Sequence, residues 1–151
     1  MNAEEETVIV DEQALARAAA AKMYEGDAAS RSLDIAIENV SPGRAILSMQ
    51  VRDDMVNGHA ICHGGFIFTL ADSAFAFACN SHNANTVAAG ARIDFLAPAH
   101  AGDRLTATAQ EVHLRGKIGV YDVVVRNQDD EQIALFRGNS FRIAGSLVEN
   151  V

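Results

Sequence analysis

The feature that most limits how this chain can fold is an apolar stretch, FIFTLADSAFAFACNS, which follows Gly64 and Gly65 and contains neither glycine nor proline. Placed on a helix, it puts apolar side chains on nearly every face, the pattern of a helix that is buried all round. About sixteen residues are too few to cross a bilayer, which needs roughly 20. The rest of the chain must therefore surround this helix.

The remaining sequence supplies strands to surround it. Two alternating runs separated by Ser41-Pro42-Gly43 predict a hairpin, and four further runs downstream of the helix are separated by turn residues. A first helix is predicted over residues 11–25, capped by Asp11 and ending near Gly26, with Leu15, Ala18, Ala19 and Met23 on one face. The predicted strands cover residues 33–37, 45–51, 86–97, 103–114, 118–127 and 132–143.

These elements predict an α+β domain in which a curved antiparallel β-sheet wraps around a long central α-helix. We expect residues 1–10 to be a flexible N-terminus and residues 11–151 to form a single domain. One sheet covers the helix from one side only, so a sheet edge and a helical face remain without a cover. Self-association is therefore expected.

Composition excludes several classes of function. The net charge of −8 argues against nucleic-acid binding, which needs clustered cations. The opening residues lack the pattern of a secretory signal, and no run is long enough to span a membrane, so a cytoplasmic protein is expected. Cys62 and Cys79, the two cysteines, lie in apolar surroundings and are expected to be reduced.

Asp72 is the residue most in need of a chemical explanation. It lies between Ala71 and Ser73 within the apolar helix, where an ionised carboxylate is costly unless it is paired or opens onto a site. On the helix pattern alone, a salt bridge to an arginine of a neighbouring strand and a catalytic role remain equally open.

The sequence just before the helix favours the catalytic role. His63, Gly64 and Gly65 lead into the helix, so unobstructed backbone N–H groups lie at its positive end and can polarise a carbonyl. Gly64 and Asp72 are eight residues apart, roughly 12 Å along a helix. Because both must approach one carbonyl to about 3 Å, a catalytic Asp72 has to come from a neighbouring subunit with an antiparallel central helix.

Other polar residues near the helix start have two interpretations each. Asn57 and His63 could orient a substrate or a water molecule, or could simply stabilise the turn before the helix. Cations for a phosphorylated carrier are available in the second half of the chain, although solvated strand faces also account for them. They are Arg92, Arg104, Arg115, Lys117, Arg126, Arg137 and Arg142.

The segment NGHAICHGGFIFTLADSAFAFACNS, with IDFLAPAHAGDRLTATAQ and GVYDVVVRNQ…ALFRGNSFRI after it, closely resembles the phenylacetate-degradation (PaaI-type) branch of the hotdog thioesterases. The resemblance implies a homotetramer of two hotdog dimers that hydrolyses phenylacetyl-CoA and ring-hydroxylated relatives, with neither a metal nor a cofactor. It also implies that Gly64 polarises the thioester carbonyl while Asp72 acts as general base or nucleophile. Asn57 and His63 would orient the substrate or the water, and Gly65, Ser73 and Phe66 would contact the substrate.

Three rival interpretations have to be weighed against this one. A non-catalytic acyl-CoA binding or regulatory module is the most serious, since a fold does not prove a function. Asp54 and His59 are five residues apart, as are the Asp and His of the D-x-N-P-x-H motif of hotdog hydratases. The proline of that motif is missing here, however, and Asn57 lies one residue after the motif's Asn position. A zinc site that combines Cys62 with Cys79 is excluded by a continuous helix, because 17 residues span about 25 Å.

Overall fold

The computed structural model describes residues 10–149, so most of the predicted flexible segment 1–10 lies outside the described residues. These described residues fold into three helices, a short 3-10 turn and six strands. The helices are α1 (Glu12–Gly26), α2 (Ala28–Ser32) and α3 (Gly64–Asn80). The strands are β1 (Ala36–Ser41), β2 (Arg44–Gln50), β3 (Thr86–Phe95), β4 (Arg104–Arg115), β5 (Ile118–Arg126) and β6 (Gln132–Arg142).

All six strands form one antiparallel sheet in the order β1-β2-β4-β5-β6-β3. The predicted hairpin is confirmed: β1 and β2 pair directly, and Gly43 occupies the left-handed region that its turn requires, with φ of 73°. The inner face of the sheet packs against α3, and α1 lies against α3 and β1. The predicted α+β arrangement of one antiparallel sheet around a long helix is therefore confirmed.

The first forty residues differ from the prediction in detail. The α1 helix starts after Asp11, whose carboxylate accepts hydrogen bonds from two backbone N–H groups as predicted. Its fully buried residues are Ala16, Ala19 and Ala20, so the buried face of α1 is rotated relative to the predicted one. The sequence could not fix this face, because alanines lie on several sides of the helix. The first strand begins at Ala36 rather than residue 33, since the unpredicted helix α2 and a left-handed Asp34 occupy the preceding segment.

The central helix α3 is less enclosed than its composition predicts. Leu70, Ala74 and Phe75 are among its buried residues and face the core. Residues at helical spacing along another face remain partly or fully exposed, and we call them the uncovered stripe: Gly65, Thr69, Asp72 and Ala76. This stripe is the helical face that a single sheet was expected to leave without a cover.

Strand β3 forms one edge of the sheet and pairs with β6 along a single side. Most of its residues are exposed, among them Val87 at 46% and Phe95 at 54%. An edge strand of ten residues with free N–H and C=O groups is a surface on which a further strand can pair. Among the described helices, none combines the length and apolar character needed to cross a bilayer.

Candidate active site

The start of α3 presents one free backbone donor. His63 is the N-cap, and its Nδ1 atom accepts a hydrogen bond from the Gly65 N–H at 2.9 Å. The Phe66 N–H donates to the His63 carbonyl. Within residues 10–149 the Gly64 N–H has no hydrogen-bond partner, so it remains available at the positive end of the helix.

A cavity of about 630 Å³ lies beside this free amide. Its lining is almost entirely apolar, with Gly64 and Asn57 supplying the polar groups. A concave, mostly apolar space with a few converging polar groups is the usual form of a small-molecule site. The apolar part of the lining includes Ile61, Cys62, Ile67, Phe95, Leu96 and Pro98.

Asn57 stabilises the turn before α3 and also lines the cavity. Its Oδ1 atom accepts hydrogen bonds from the N–H groups of His59 and Ile61, which fixes the loop before α3. The Nδ2 group has no partner within the described residues, and Asn57 lines the cavity. Asn57 is thus a turn residue whose side-chain N–H groups remain free to donate to a ligand.

His63 likewise stabilises the loop while keeping one donor free. Because Nδ1 accepts the Gly65 N–H, the neutral imidazole carries its proton on Nε2. The side chain is exposed, and its ring lies edge-on to that of Phe66. The Gly65 amide is occupied by this cap, which leaves Gly64 as the helix-end donor.

Asp72 lies on the uncovered stripe, eight residues further along the helix. Burial raises the pKa of its carboxyl group above the ordinary value for aspartate. Its carboxylate forms neither an ion pair nor a hydrogen bond with any of the described residues. The purely structural alternative, a salt bridge to an arginine of a neighbouring strand, is therefore absent from residues 10–149.

Gly64 and Asp72 do not meet within one chain. The helix runs without interruption from Gly64 to Asn80, so the two residues are separated by roughly 12 Å along its axis. The cavity beside Gly64 does not include Asp72 in its lining. One chain thus contains, at different places, a helix-end amide and a carboxylate that both lack a partner among the described residues.

Two of the residues predicted to contact substrate are placed away from the cavity. The Oγ atom of Ser73 is hydrogen-bonded to that of Ser30 on α2 at 2.9 Å. Phe66 packs beside His63 and against the hydrophobic core. Neither residue lines the cavity of this chain. Their predicted contacts with a substrate would therefore require the substrate to extend beyond this cavity.

Phe95, at the end of β3, is the site residue that the sequence analysis missed. The tip of its ring would lie 2.9 Å from a Cβ atom added to Gly64, which explains why glycine suits this position. Phe95 thereby forms the aromatic wall of the cavity next to the free amide. Its place follows from the pairing of β3 with β6, a contact between distant segments that no local pattern indicates.

Two residues of the rival interpretations have partners elsewhere in the chain. Asp54 forms an exposed ion pair with Arg52 at 3.0 Å, and His82 is hydrogen-bonded to Glu111 at 2.9 Å. The described residues contain no group of three or more histidine, cysteine or acidic side chains that could hold a metal. Burial raises the pKa of Cys62 to about 11, so this cavity-lining thiol stays protonated near neutral pH.

Four of the seven cations considered for a phosphorylated carrier are engaged within the chain. Each forms an ion pair with a carboxylate, and that of Arg137 with Asp122 is bidentate at 2.6 and 2.8 Å. The others so paired are Arg92, Arg104 and Arg126. Among the described residues, Arg115, Lys117 and Arg142 have no such carboxylate partner, and Lys117 lies 5.9 Å from the ring centre of Phe141.

Comparison with known proteins agrees with this geometry. The model of the thioesterase superfamily matches residues 59–134, which include Gly64 and Asp72. Acyl-coenzyme A thioesterase PaaI of Escherichia coli is 50% identical over 125 residues, 83% of this chain and 89% of the relative. The solved structure of the E. coli PaaI protein from the phenylacetic acid degradation operon superposes with a TM-score of 0.88 at 48% identity, covering 89% of this chain and 97% of that one.

A more distant solved structure comes from Streptococcus mutans and is bound to acetyl CoA. It is 27% identical, with a TM-score of 0.72, and covers 74% of this chain and 90% of that one. Sequence and fold agree across most of the chain. The chain therefore belongs to the thioesterase superfamily and, within it, to the hotdog acyl-CoA thioesterases of the PaaI type.

Proposed function

We propose that this thioesterase hydrolyses phenylacetyl-CoA and its ring-hydroxylated relatives to the free acid and CoA, at a site shared between two subunits. The relatives support the substrate class, since the E. coli PaaI protein comes from the phenylacetic acid degradation operon. The apolar cavity with the aromatic wall of Phe95 supports an aromatic acyl group. Gly64 of one subunit and Asp72 of the other are the central residues.

The separation of these two groups is the observation that carries the shared site. Gly64 offers a free N–H beside an apolar cavity that has no carboxylate in its lining. Asp72 offers a carboxylate without a partner, on a helical face that the chain leaves open. Two α3 helices packed antiparallel along their uncovered stripes would bring each Asp72 to the other subunit's Gly64.

The chemistry assigns each group one task. The Gly64 N–H donates to the thioester carbonyl oxygen and stabilises the negative charge that develops there during attack. As a general base, Asp72 accepts a proton from water while the water oxygen bonds to the acyl carbon. The carbon–sulfur bond then breaks, and the proton passes to the departing CoA thiolate.

A second route uses the same carboxylate as the nucleophile. The Asp72 carboxylate attacks the acyl carbon, and the carbon–sulfur bond breaks so that CoA leaves as its thiolate. Water then hydrolyses the mixed anhydride to the acid and the free Asp72 carboxylate, and the proton released in that step passes to the thiolate. Both routes place the same residue in the same position. A single turnover in oxygen-18 water distinguishes them, because only the anhydride route can place the label in the Asp72 carboxylate.

Two surfaces of the fold support the assembly. The exposed edge of β3 is available to pair with the same edge of a second chain, which would continue the sheet across the dimer. Symmetry places the two-fold axis beside residue 68, midway between Gly64 and Asp72. Two such dimers would form the tetramer, and the assembly would function in the cytoplasm.

A subunit-mixing experiment tests the shared site. Asp72→Asn removes the carboxylate, and Gly64→Pro removes the N–H at a helix position that tolerates proline. Each variant alone should be inactive. A heterodimer would keep one intact site, built from Gly64 of the first variant and Asp72 of the second.

Random exchange of the two variants should therefore restore about a quarter of wild-type activity, because half of the dimers are mixed and each keeps one of two sites. Coexpression with two different tags allows the mixed dimer to be isolated and assayed directly. An inactive mixed dimer would contradict the shared site. Full activity of the Asp72→Asn protein alone would contradict the thioesterase mechanism itself.

A panel of CoA thioesters tests the substrate class. Comparison of phenylacetyl, hydroxyphenylacetyl, benzoyl, acetyl and long aliphatic acyl groups by kcat/KM should give the highest values for the phenylacetyl compounds. A flat profile would remove the phenylacetate assignment while leaving the thioesterase activity in place. Binding of these thioesters without turnover would support the non-catalytic module instead.

A further inference from the structure

A short chain of hydrogen bonds links α2 to the residue next to Asp72. Asp27, the N-cap of α2, accepts the Ser30 N–H through Oδ1 at 3.0 Å and the Ser30 hydroxyl through Oδ2 at 2.6 Å. The Ser30 Oγ atom in turn lies 2.9 Å from the Oγ of Ser73. Ser30 is 1% exposed, so this is a buried serine whose hydroxyl contacts the two other side chains.

The direction of these bonds follows from the number of protons available. An ionised carboxylate only accepts, so the single hydroxyl proton of Ser30 goes to Asp27. The bond between the two serines then needs its proton from Ser73, which donates to Ser30. Ser73 forms no bond to the carbonyl of Thr69, the usual partner of a serine within a helix, although Thr69 itself bonds to the Gly65 carbonyl in this way.

Ser73 is thereby restricted to one role toward any further group. Its proton is committed to Ser30, and its two lone pairs remain free, so it can accept hydrogen bonds but cannot donate one. Asp72 directly precedes it on α3, and both side chains are partly exposed. A group that approaches this part of the helix therefore meets two adjacent acceptors.

We propose that Asp27 and Ser30 are positioning residues, which hold the Ser73 hydroxyl as an acceptor for the water that Asp72 uses. The proposal rests on the shared-site thioesterase function described above. Water has two protons to donate, and Asp72 and Ser73 can each accept one of the resulting hydrogen bonds. The lone pair of the water oxygen then faces the acyl carbon, whether water attacks the thioester or the anhydride.

Asp27→Asn tests the direction of the chain while preserving the helix cap. Asparagine caps a helix as well as aspartate does, so its Oδ1 can keep the bond from the Ser30 N–H. Its Nδ2 group faces the Ser30 Oγ and donates to it, which turns the Ser30 proton toward Ser73. Ser73 then has a free proton to donate and one lone pair fewer with which to accept from water.

The expected result is a fall of about tenfold in kcat, with KM for phenylacetyl-CoA changed by less than about twofold, since one hydrogen bond to the water is lost. Asp11→Asn is the matched control, because Asp11 caps α1 through the same kind of bonds and has no link to Ser73. That variant should keep wild-type kcat and KM.

A double-mutant cycle shows whether Asp27 acts through Ser73. Ser73→Ala should lower kcat by itself, and adding Asp27→Asn to it should cause no further loss. Ser30→Ala, which leaves the Ser73 proton without an acceptor, should lower kcat in the same direction and reports the same effect if the Asp27 variant folds poorly. Independent losses that multiply, or wild-type kcat in both the Asp27 and Ser30 variants, would overturn the proposal.

The outcome also separates this proposal from the function on which it rests. If wild type is active, Asp72→Asn is inactive and Asp27→Asn is fully active, the positioning role fails and the thioesterase mechanism stands. If Asp72→Asn retains wild-type turnover, Asp72 does not activate the water, so the shared-site mechanism fails and the positioning role, which depends on it, fails as well.

Discussion

The Nδ1 atom of His63 accepts a hydrogen bond from the Gly65 N–H at 2.9 Å. This bond uses the second amide of α3 and leaves the first, that of Gly64, without a partner among the described residues. The two glycines therefore differ in their hydrogen bonding: the Gly65 N–H is bonded within the helix cap, while the Gly64 N–H is free beside the cavity. The mechanism that we propose requires the free amide of Gly64.

Removal of the Gly64 donor should stop the reaction without unfolding the helix. Gly64→Pro deletes the N–H at the first helical position, and the extended backbone of His63, with ψ of 132°, is compatible with a following proline. We expect kcat to fall by about a hundredfold or more, the usual effect of losing one oxyanion donor. Steady-state kinetics and circular dichroism measure the two effects separately.

Gly64→Ala is the control for this substitution. Alanine keeps the N–H but adds a Cβ atom that meets the tip of the Phe95 ring at 2.9 Å, and the ring can shift. It should therefore lose much less activity than proline. Equal losses in the two variants would show that the space at Gly64, rather than its amide, is what matters.

Asp72 should set the acid limb of the pH profile. Burial raises the pKa of its carboxyl above 3.8, and catalysis needs the ionised form, so kcat should fall with decreasing pH at values above the ordinary aspartate range. Asp72→Asn should reduce kcat about a thousandfold or more. A wild-type profile that stays flat down to pH 4 would contradict this assignment.

The same raised pKa predicts an effect on stability with a definite sign. The folded state holds the Asp72 proton more tightly than the unfolded state does, which favours folding below the unfolded pKa; this contribution is lost as pH rises through the folded pKa. Asp72→Asn avoids that loss. The variant should melt at or above the wild-type temperature at pH 7, and the difference should shrink toward pH 4.

The proposed two-fold axis can be located by cross-linking. Thr69 lies on the uncovered stripe one residue from the axis position, so Thr69→Cys should form a disulfide with its copy under mild oxidation. Ala76→Cys lies on the same stripe but about 24 Å from its copy along an antiparallel pair, and should not cross-link. Non-reducing gels distinguish the outcomes, and the reverse result would exclude this helix pairing.

Phe95 should determine the preference for aromatic acyl groups. Phe95→Leu removes the aromatic wall next to Gly64 and should lower kcat/KM for phenylacetyl-CoA by about tenfold, with a smaller effect on acetyl-CoA. Phe66→Leu makes the same chemical change outside the cavity and should leave the ratio of the two substrates unchanged. If only the Phe66 variant changed that ratio, Phe66 rather than Phe95 would be the residue that contacts the acyl group.

The sequence predicts the second half of the fold closely and the first forty residues less well. Strands β3 to β6 begin and end within about two residues of their predicted bounds, since alternating side chains and turn residues mark them clearly. Helix α2 is five residues long and has no periodicity to detect. Asp34 takes a left-handed conformation that interrupts the apparent strand at residues 33–37.

At the site, the sequence identifies residues by their chemical type, but it does not predict which distant residues lie beside them. A carboxylate in an apolar helix and a glycine pair at its start identify Asp72 and Gly64 from sequence, and helical rise alone shows that one chain cannot join them. The contacts of Phe95 with Gly64 and of Ser30 with Ser73 join segments more than thirty residues apart. Such contacts depend on how the sheet and helices pack, which local patterns do not encode.

The open edge of β3 has a consequence for how the protein reaches its final state. Under the proposed pairing, folding ends with an encounter between two molecules, so the last step of refolding should become slower as the protein is diluted. Before two monomers meet, the exposed edge of β3 can pair with a strand of another, incompletely folded molecule. The irregular register between Ala88 and Gly90 disturbs that edge, and an irregular edge is a poor template for aggregation.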